Sequence, residues 1–535
     1  MKMKKRILLP CLTAAMAATA QSTDATQPNI VLFMVDDMGW QDTSLPFFSG
    51  PTPLNARYRT PNMERLAARG MQFTSAYACA ISSPSRCSLM TGMNQTRHRV
   101  TNWTKDRDTA TDDPADGLIL PDWNVNGIQP VDTIPHSAYC TPLPELLRRA
   151  GYNTIHVGKA HYGAFGTPSA DPRNIGFDVS IAGTAAGGPP QGGYLGRNRY
   201  GHRADGSPIS SYAIPDLERY WDTDTFLTEA LTREALHAAD SIRTDGRPFF
   251  LYLAHYAVHV PFDADDRFTA NYPDLDEEER RYATLIEGMD KSLGDVMDYL
   301  DATGQTDNTV IIFMSDNGGL DFYARGALPE TTEGRHNFPL RSGKGSAYEG
   351  GIREPMIVSW PGVTPAASQC PGQVIIEDFF PTILEIAGTA APTVQHVDGT
   401  SFVPLLRGGS LPDRPLIWHT PNNWTNMISE PAKRTLGIGP TSAIRLGDYK
   451  LIYFWADGSK ELYNISTDIG ETVDLAPSFP TLTATLSRIL SDRLREAGAQ
   501  RPARPDSTPL PWPDQMPPHE ECQTPPADLH VSPAH

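Results

Sequence analysis

Uninterrupted apolar runs at 29–35 (NIVLFMV), 153–157 (NTIHV), 249–254 (FFLYLA) and 310–314 (VIIFM) predict strands buried on both faces, because a strand with one wet face alternates instead. Such strands need helices packed on them. One is predicted where Leu285, Ile286, Met289, Leu293, Val296, Met297 and Leu300 recur at helical spacing between Glu287, Asp290, Lys291, Asp295 and Asp298, with Gly304 just beyond. The pattern gives one large α/β domain over 27–405, a large mixed, mostly parallel sheet sandwiched by helices, whose ligands belong at the carboxyl ends of the strands. Segments 161–220 and 318–346 are rich in Gly, Pro, Asn and Tyr and read as long functional loops. From 412 to 498 the runs shorten, at 442–446 and 449–454, before a helical stretch at 481–497. That change predicts a smaller α+β domain with an antiparallel sheet. The last segment, 501–535, carries ten prolines and reads as an extended tail.

Composition sets the class. With 39% hydrophobic and 20% charged residues, a 535-residue chain has material for a large core, and its net charge of −18 disfavours adhesion to nucleic acid or anionic membrane. Residues 1–20 combine a basic start (Lys2, Lys4, Lys5, Arg6), an apolar stretch and an Ala18-Thr19-Ala20 ending, the layout of a cleaved secretory signal. Cleavage after Ala20 would take the net charge from −18 to −22 and place the product in the periplasm or outside the cell. Cys11 follows Pro10 and a short apolar run, which disfavours lipid attachment. No later run approaches the length of a transmembrane helix. Five widely spaced cysteines (Cys79, Cys87, Cys140, Cys370, Cys522) form neither a disulfide scaffold nor a metal-type CxxC pattern.

Asp36 and Asp37 directly follow the first buried run, and Asp316 and Asn317 follow the fourth in the same way. Adjacent carboxylates at a strand end repel each other unless a cation lies between them, and an all-oxygen set suits Ca²⁺ or Mg²⁺ rather than zinc. Either pair alone reads equally as a polar strand end or helix cap.

The stretch 82–92, SSPSRCSLMTG, resembles the signature of the type I sulfatases, in which a Cys or Ser, one free position, Pro-Ser-Arg and a later Thr-Gly mark the residue oxidised to formylglycine. PNIVLFMVDDMGW, RYRTPNMERLAARGMQFTSAYA, GKAHYG, HYAVHVPF, SDNGG and KGSAYEGGIREP resemble further segments of that family in the same order, although Ala160 and Tyr162 stand where GKWHLG has Trp and Leu. The resemblance implies an alkaline phosphatase-like fold and a formylglycine made from Ser82 by a serine-oxidising maturase. It also implies a Ca²⁺ held by Asp36, Asp37, Asp316, Asn317 and the modified Ser82. Arg86 and Lys159 would hold the hydrated aldehyde, His161 would be the base that breaks it down, and Lys344 and His259 would grip the sulfate. The resemblance favours His259 over His255, because the family pattern places its histidine two residues before Pro, as in His259-Val260-Pro261.

A hydrated aldehyde suits this task, since one hydroxyl can attack sulfur and the other can later lose its proton and expel sulfate. Cations gathered around the sulfate would stabilise the transition state. The exported, serine-type, loop-rich build resembles sulfatases that degrade sulfated glycans, so a sulfated saccharide is the expected substrate. Asn102, Trp103, Tyr162, Arg335, His336 and Asn337 are the candidate sugar contacts. Two other readings remain open at this point: a phosphoester or phosphonate hydrolase of the same superfamily, and a catalytically silent glycan-binding homologue.

Overall fold

The computed structural model describes residues 27–321, 325, 335–424, 428 and 430–517. The signal-like segment, Cys11, Cys522 and the tail beyond 517 lie outside the described residues.

A nine-stranded sheet forms the centre. Eight strands run in the order Ser368–Cys370, Met71–Tyr77, Arg353–Ser359, Thr309–Ser315, Asn29–Val35, Phe249–Ala254, Asn153–Gly158 and Val179–Ile181, while Val374–Ile375 also pairs with Met71–Tyr77. All four apolar runs are strands here, and they are mutual neighbours. Their side chains alternate between two cores: Ile30, Leu32 and Met34 enter one cluster, and Val31, Phe33 and Val35 the other. Helices Leu227–Ile242 and Glu277–Ala302 cover the second face, and the latter carries the seven apolar positions expected of it.

One strand breaks the parallel rule. Arg353–Ser359 runs antiparallel to both its neighbours inside the sheet, which makes the sheet mixed. Its seven residues are all buried, Arg353 and Glu354 included, so it lies as deep in the sheet as the parallel strands despite its opposite direction.

The C-terminal region folds as a four-stranded antiparallel sheet, Leu416–Thr420, Thr441–Leu446, Tyr449–Phe454 and Lys460–Asn464. Helix Pro480–Glu496 packs Leu486 and Leu490 on Ile444 and Leu451 of one face. From the other face Trp418, Ala443 and Ile452 join the core of the large sheet, so the two sheets share apolar packing. Within the tail, Ala503 bridges to Ile119, and Trp512 lies 5.8 Å from Trp455 between ring centres. Cys79, Cys87, Cys140 and Cys370 are buried free thiols. No helix among the described residues is long and apolar enough to cross a membrane.

Candidate active site

The carboxyl ends of the parallel strands deliver the chemistry. Asp36 and Asp37 follow Val35, Asp316 and Asn317 follow Ser315, and Lys159 and His161 come directly after Gly158. Gly158 has φ 101°, and a Cβ there would stand 2.0 Å from the Ala254 carbonyl oxygen, so only glycine lets the strand turn towards Lys159. Asp37 and His161 also hold positive φ, 62° and 53°, where side chains are uncommon; such backbone persists where the surroundings enforce it. Ser82 opens the buried helix Ser82–Thr91, which presents it to these strand ends.

The groups converge on Ser82. Its hydroxyl donates to Asn317 Oδ1 at 3.0 Å and Asp36 Oδ1 at 3.3 Å, and it accepts from Lys159 Nζ at 3.2 Å. Lys159 also reaches Asp36 Oδ2 at 2.6 Å, and Lys344 reaches Asp37 Oδ1 at 2.6 Å. Arg86 donates to Asp316 Oδ2 at 2.8 Å, the Lys159 carbonyl at 3.0 Å and the Tyr252 hydroxyl at 3.2 Å. Asn317 Nδ2 donates to Asp37 Oδ1 at 2.7 Å.

Charge in this centre is not balanced by the protein alone. Burial is the largest influence on Asp36 and pushes its carboxyl up to about 8, with Asp316 adding to the rise and Lys159 opposing it. At Asp37 burial also raises the carboxyl, but Lys344, His259 and Lys159 together outweigh it and hold it below the usual range. Glu354, wholly buried, is pushed well up by burial and by Asp316 and Asp37. Asp37 Oδ2, Arg86 Nη2 and both carboxyl oxygens of Glu354 are buried without a hydrogen-bond partner. An orphaned carboxylate oxygen amid crowded acids fits a hard divalent cation held by oxygen donors. Asp36, Asp37 and His259 each bring one ligand atom within 4.8 Å of the others, so a nitrogen donor stands beside the expected oxygens.

Both histidines favour their neutral form. Burial, reinforced by Lys159 and Arg86, holds His161 well below its ordinary value; burial with Lys344 brings His259 down to about 3. His161 Nε2 lies 3.0 Å from the Thr104 carbonyl and Nδ1 has no partner, so the proton belongs on Nε2 and the free lone pair on Nδ1. His259 is the reverse: Nδ1 lies 2.6 Å from the Val260 carbonyl, and Nε2 stands 3.7 Å from Asp37 Oδ2. Gly187 and Gly188 pack on these rings. A Cβ on Gly187 would meet His161 Cε1 at 2.8 Å, and one on Gly188 would meet His259 Nδ1 at 2.6 Å. His255 lies elsewhere, bonded through Nε2 to Ser292 Oγ at 2.8 Å and 5.0 Å from the Phe33 ring.

Above the centre opens a cavity of about 630 Å³, with Ser82, His161, His259 and Lys344 in its floor and Trp103, Tyr212 and Trp424 among its walls. The sequence profile of the family described as Sulfatase matches residues 28–389, a span that contains every group named around Ser82. The chain belongs to the sulfatase family. A second profile, N-sulphoglucosamine sulphohydrolase, C-terminal, matches 342–498. Among curated proteins, a sulfatase of Formosa agariphila is 31% identical, over 92% of this chain and 93% of its own. Human N-acetylgalactosamine-6-sulfatase is 29% identical, over 94% and 93%. Among solved structures, Ps i-CgsB in complex with k-i-k-neocarrahexaose superposes with a TM-score of 0.67 at 29% identity, over 88% of this chain and 93% of that one. The chain is therefore an enzyme of the sulfuric ester hydrolase class.

Within this sulfatase the expected sugar contacts are dispersed. Of the six, Trp103 alone stands in the described cavity wall. Asn102 is fully buried behind it and donates to Asp112 Oδ1 at 2.8 Å. Tyr162 is also fully buried, its ring edge-on to His156. His336 turns to Asp321 and Glu279, at 3.4 and 3.7 Å, and Asn337 ties its own loop by donating to the Gly319 and Ser342 carbonyls. Arg335 is half-buried and outside that wall. The wall that sequence reasoning did not single out comprises Asp113, Gln191, Ser210, Tyr212 and Trp424. Gln191, Ser210 and Tyr212 fall in the 161–220 segment whose length alone marked it as functional.

Proposed function

We propose that this sulfatase removes a sulfate ester from a sulfated carbohydrate, using a formylglycine made from Ser82 and a calcium ion, outside the cytoplasm. The observation that carries the reading is Ser82 Oγ, 3.0–3.3 Å from Asn317, Lys159 and Asp36 at the floor of a cavity that Lys344, His161 and His259 also line. The names of relatives that act on N-acetylgalactosamine 6-sulfate or are solved with a neocarrahexaose support a saccharide substrate.

Asp36, Asp37, Asp316 and Asn317 would hold the ion, which when bound supplies positive charge to the attacking oxygen and the sulfate. A formylglycine at 82 supplies, once hydrated, the geminal hydroxyls that a serine lacks. The protein's own groups do the rest. Lys159 holds the oxygen at position 82, and Arg86, kept charged by Tyr252, Asp316 and Asp36 against the cost of burial, fixes Lys159 through its carbonyl. His161, neutral with a free Nδ1 lone pair, accepts the proton from position 82 when sulfate departs. Lys344 places a point charge for the sulfate oxygens. His259 offers a bare Nε2; a bound sulfate ester raises its proton affinity, and the proton taken up there from solvent as the ester binds is the one given to the leaving alcohol.

The test uses protein produced with a serine-oxidising maturase. The peptide containing Ser82 should weigh two hydrogens less than its sequence predicts. Sulfate release from a sulfated saccharide should exceed phosphate release from the same alcohol, and should fall on chelation and return with calcium. A faster phosphate reaction, or full activity with an intact serine, overturns the reading.

A further inference from the structure

The extended segment Thr111-Asp112-Asp113 crosses the cavity rim, and alternate residues point opposite ways. Thr111 and Asp113 stand in the wall, while Asp112 turns inward to accept from Asn102 Nδ2 at 2.8 Å and Trp123 Nε1 at 2.6 Å. Three further bonds pin this segment: Thr111 Oγ1 to the Trp103 carbonyl at 2.5 Å, Asp113 N to the Asn423 carbonyl at 3.0 Å, and Asn423 Nδ2 to the Pro114 carbonyl at 2.5 Å. Trp103 and Trp424 each neighbour one of these anchors, so the rim's acid and two of its aromatic walls are held as one piece.

Asp113 is half-buried, and among the described residues no side chain donates to its carboxylate. It is also the one acidic residue in the described wall, facing a floor that holds Lys344 and Ser82. A carboxylate with free lone pairs in a partly dried cavity accepts hydrogen bonds from hydroxyl or amide N–H groups strongly, and it repels a second anion. Trp103, Tyr212 and Trp424 bring aromatic surface to the same wall, of the kind against which a pyranose ring packs.

We propose that Asp113 is a specificity-determining residue that admits a sugar ring carrying one sulfate, by accepting from its hydroxyl or acylamino groups, and excludes a ring bearing a second sulfate or a carboxylate. The inference rests on the saccharide reading above and narrows it to otherwise neutral rings. Asn102 acts through Asp112 as a positioning residue for this contact, which gives that buried side chain a role without substrate contact.

The test compares a monosulfated sugar, the same sugar with a second sulfate, and a monosulfated uronate. Sulfate release by matured enzyme and binding by Ser82→Ala protein are both measured. Asp113→Ala should lower kcat/KM on the monosulfated sugar about tenfold or more, the usual loss for a hydrogen bond to a charged group. Asp113→Asn should raise the ratio of doubly to singly charged substrate about tenfold, and the wild-type preference should shrink with added salt. Ratios equal in wild type and Asp113→Asn overturn the inference while sulfate release leaves the reaction standing. Discrimination in binding without sulfate release upholds the inference and overturns the reaction. Absence of saccharide binding overturns the inference as well.

Discussion

Two buried charge clusters in this molecule have opposite characters. Around Ser82, lysines, arginine and aspartates leave Asp37 Oδ2, Arg86 Nη2 and His161 Nδ1 unpaired below a cavity. Where the large sheet meets the C-terminal one, Lys450 Nζ lies 3.0 Å from Glu349 and 2.9 Å from Glu471, and Arg353 lies 3.1 Å from Glu349. The Tyr77 hydroxyl adds a bond to Glu349 at 2.9 Å, and the Glu349 amide donates to Glu471 Oε2 at 2.7 Å. One cluster keeps bonding capacity below a cavity; the other ties two sheets together, and Glu471 Oε1, its atom without a hydrogen bond, is held in the ion pair with Lys450. Burial of charge does not separate a functional site from a structural one, but unspent valence facing a cavity does.

The same substitution in both clusters breaks the comparison if it is wrong. Lys159→Met should cut sulfate release roughly 10³-fold, as removal of a preorganised cation at a reacting oxygen does, while thermal unfolding shifts less than in the second variant, because Asp36 keeps the Ser82 hydroxyl as a partner and would keep the bound ion. Lys450→Met should do the opposite: unfolding free energy falls by about 3 kcal/mol because buried carboxylates lose their partner, and turnover per folded molecule stays within about twofold. Calorimetry and a sulfate assay on both variants decide the matter, and equal losses of stability would erase the distinction.

A third experiment sharpens it with pH. His419, in the C-terminal sheet, is buried with Nδ1 2.7 Å from Ser442 Oγ and Nε2 2.8 Å from the Gln500 carbonyl, and burial brings it down to about 4. The unfolded chain takes up this proton near 6.5 and the folded one near 4, so the residue's contribution is present above 6.5 and is lost as pH falls between those values. Relative to His419→Gln, the wild type should lose about 3 kcal/mol over that window in denaturant unfolding. The smallest effect concerns placement: Gly188→Ala should lower kcat about tenfold, since the added methyl displaces His259, and leave unfolding within about 1 kcal/mol. An unchanged kcat would mean that this ring's position is immaterial.

Legibility followed the same divide. The strands 29–35, 249–254 and 310–314 were readable because burial on both faces leaves an unbroken apolar run, and the helix through Leu285 and Leu293 because burial on one face imposes a period. Arg353–Ser359 is as buried as its neighbours but carries Arg353 and Glu354 at its start, and nothing in composition records that it runs the other way. Residues that follow a buried strand directly, such as Asp36 and Asp316, were traceable because the fold places strand ends together, whereas Lys159 was reached through the resemblance of its segment to the family's. The cavity rim follows no such rule. Asn102 and Tyr162 flank Trp103 and His161 in sequence but point behind them, and Asp113 and Trp424 come from irregular segments that meet through single hydrogen bonds. Sequence adjacency to a catalytic residue therefore says little about which side chain faces the substrate.

Trp424, and the Asn423 carbonyl that holds Asp113, belong to the stretch that follows strand Leu416–Thr420 of the second sheet, whereas every group within reach of Ser82 comes from residues 36–344. Inheritance can thus alter the two jobs separately. Re-looping the later portion of the gene would move Trp424 and the anchor of Asp113, and so one side of the rim, while Trp103, Tyr212 and the bond-breaking apparatus stay where the first sheet puts them.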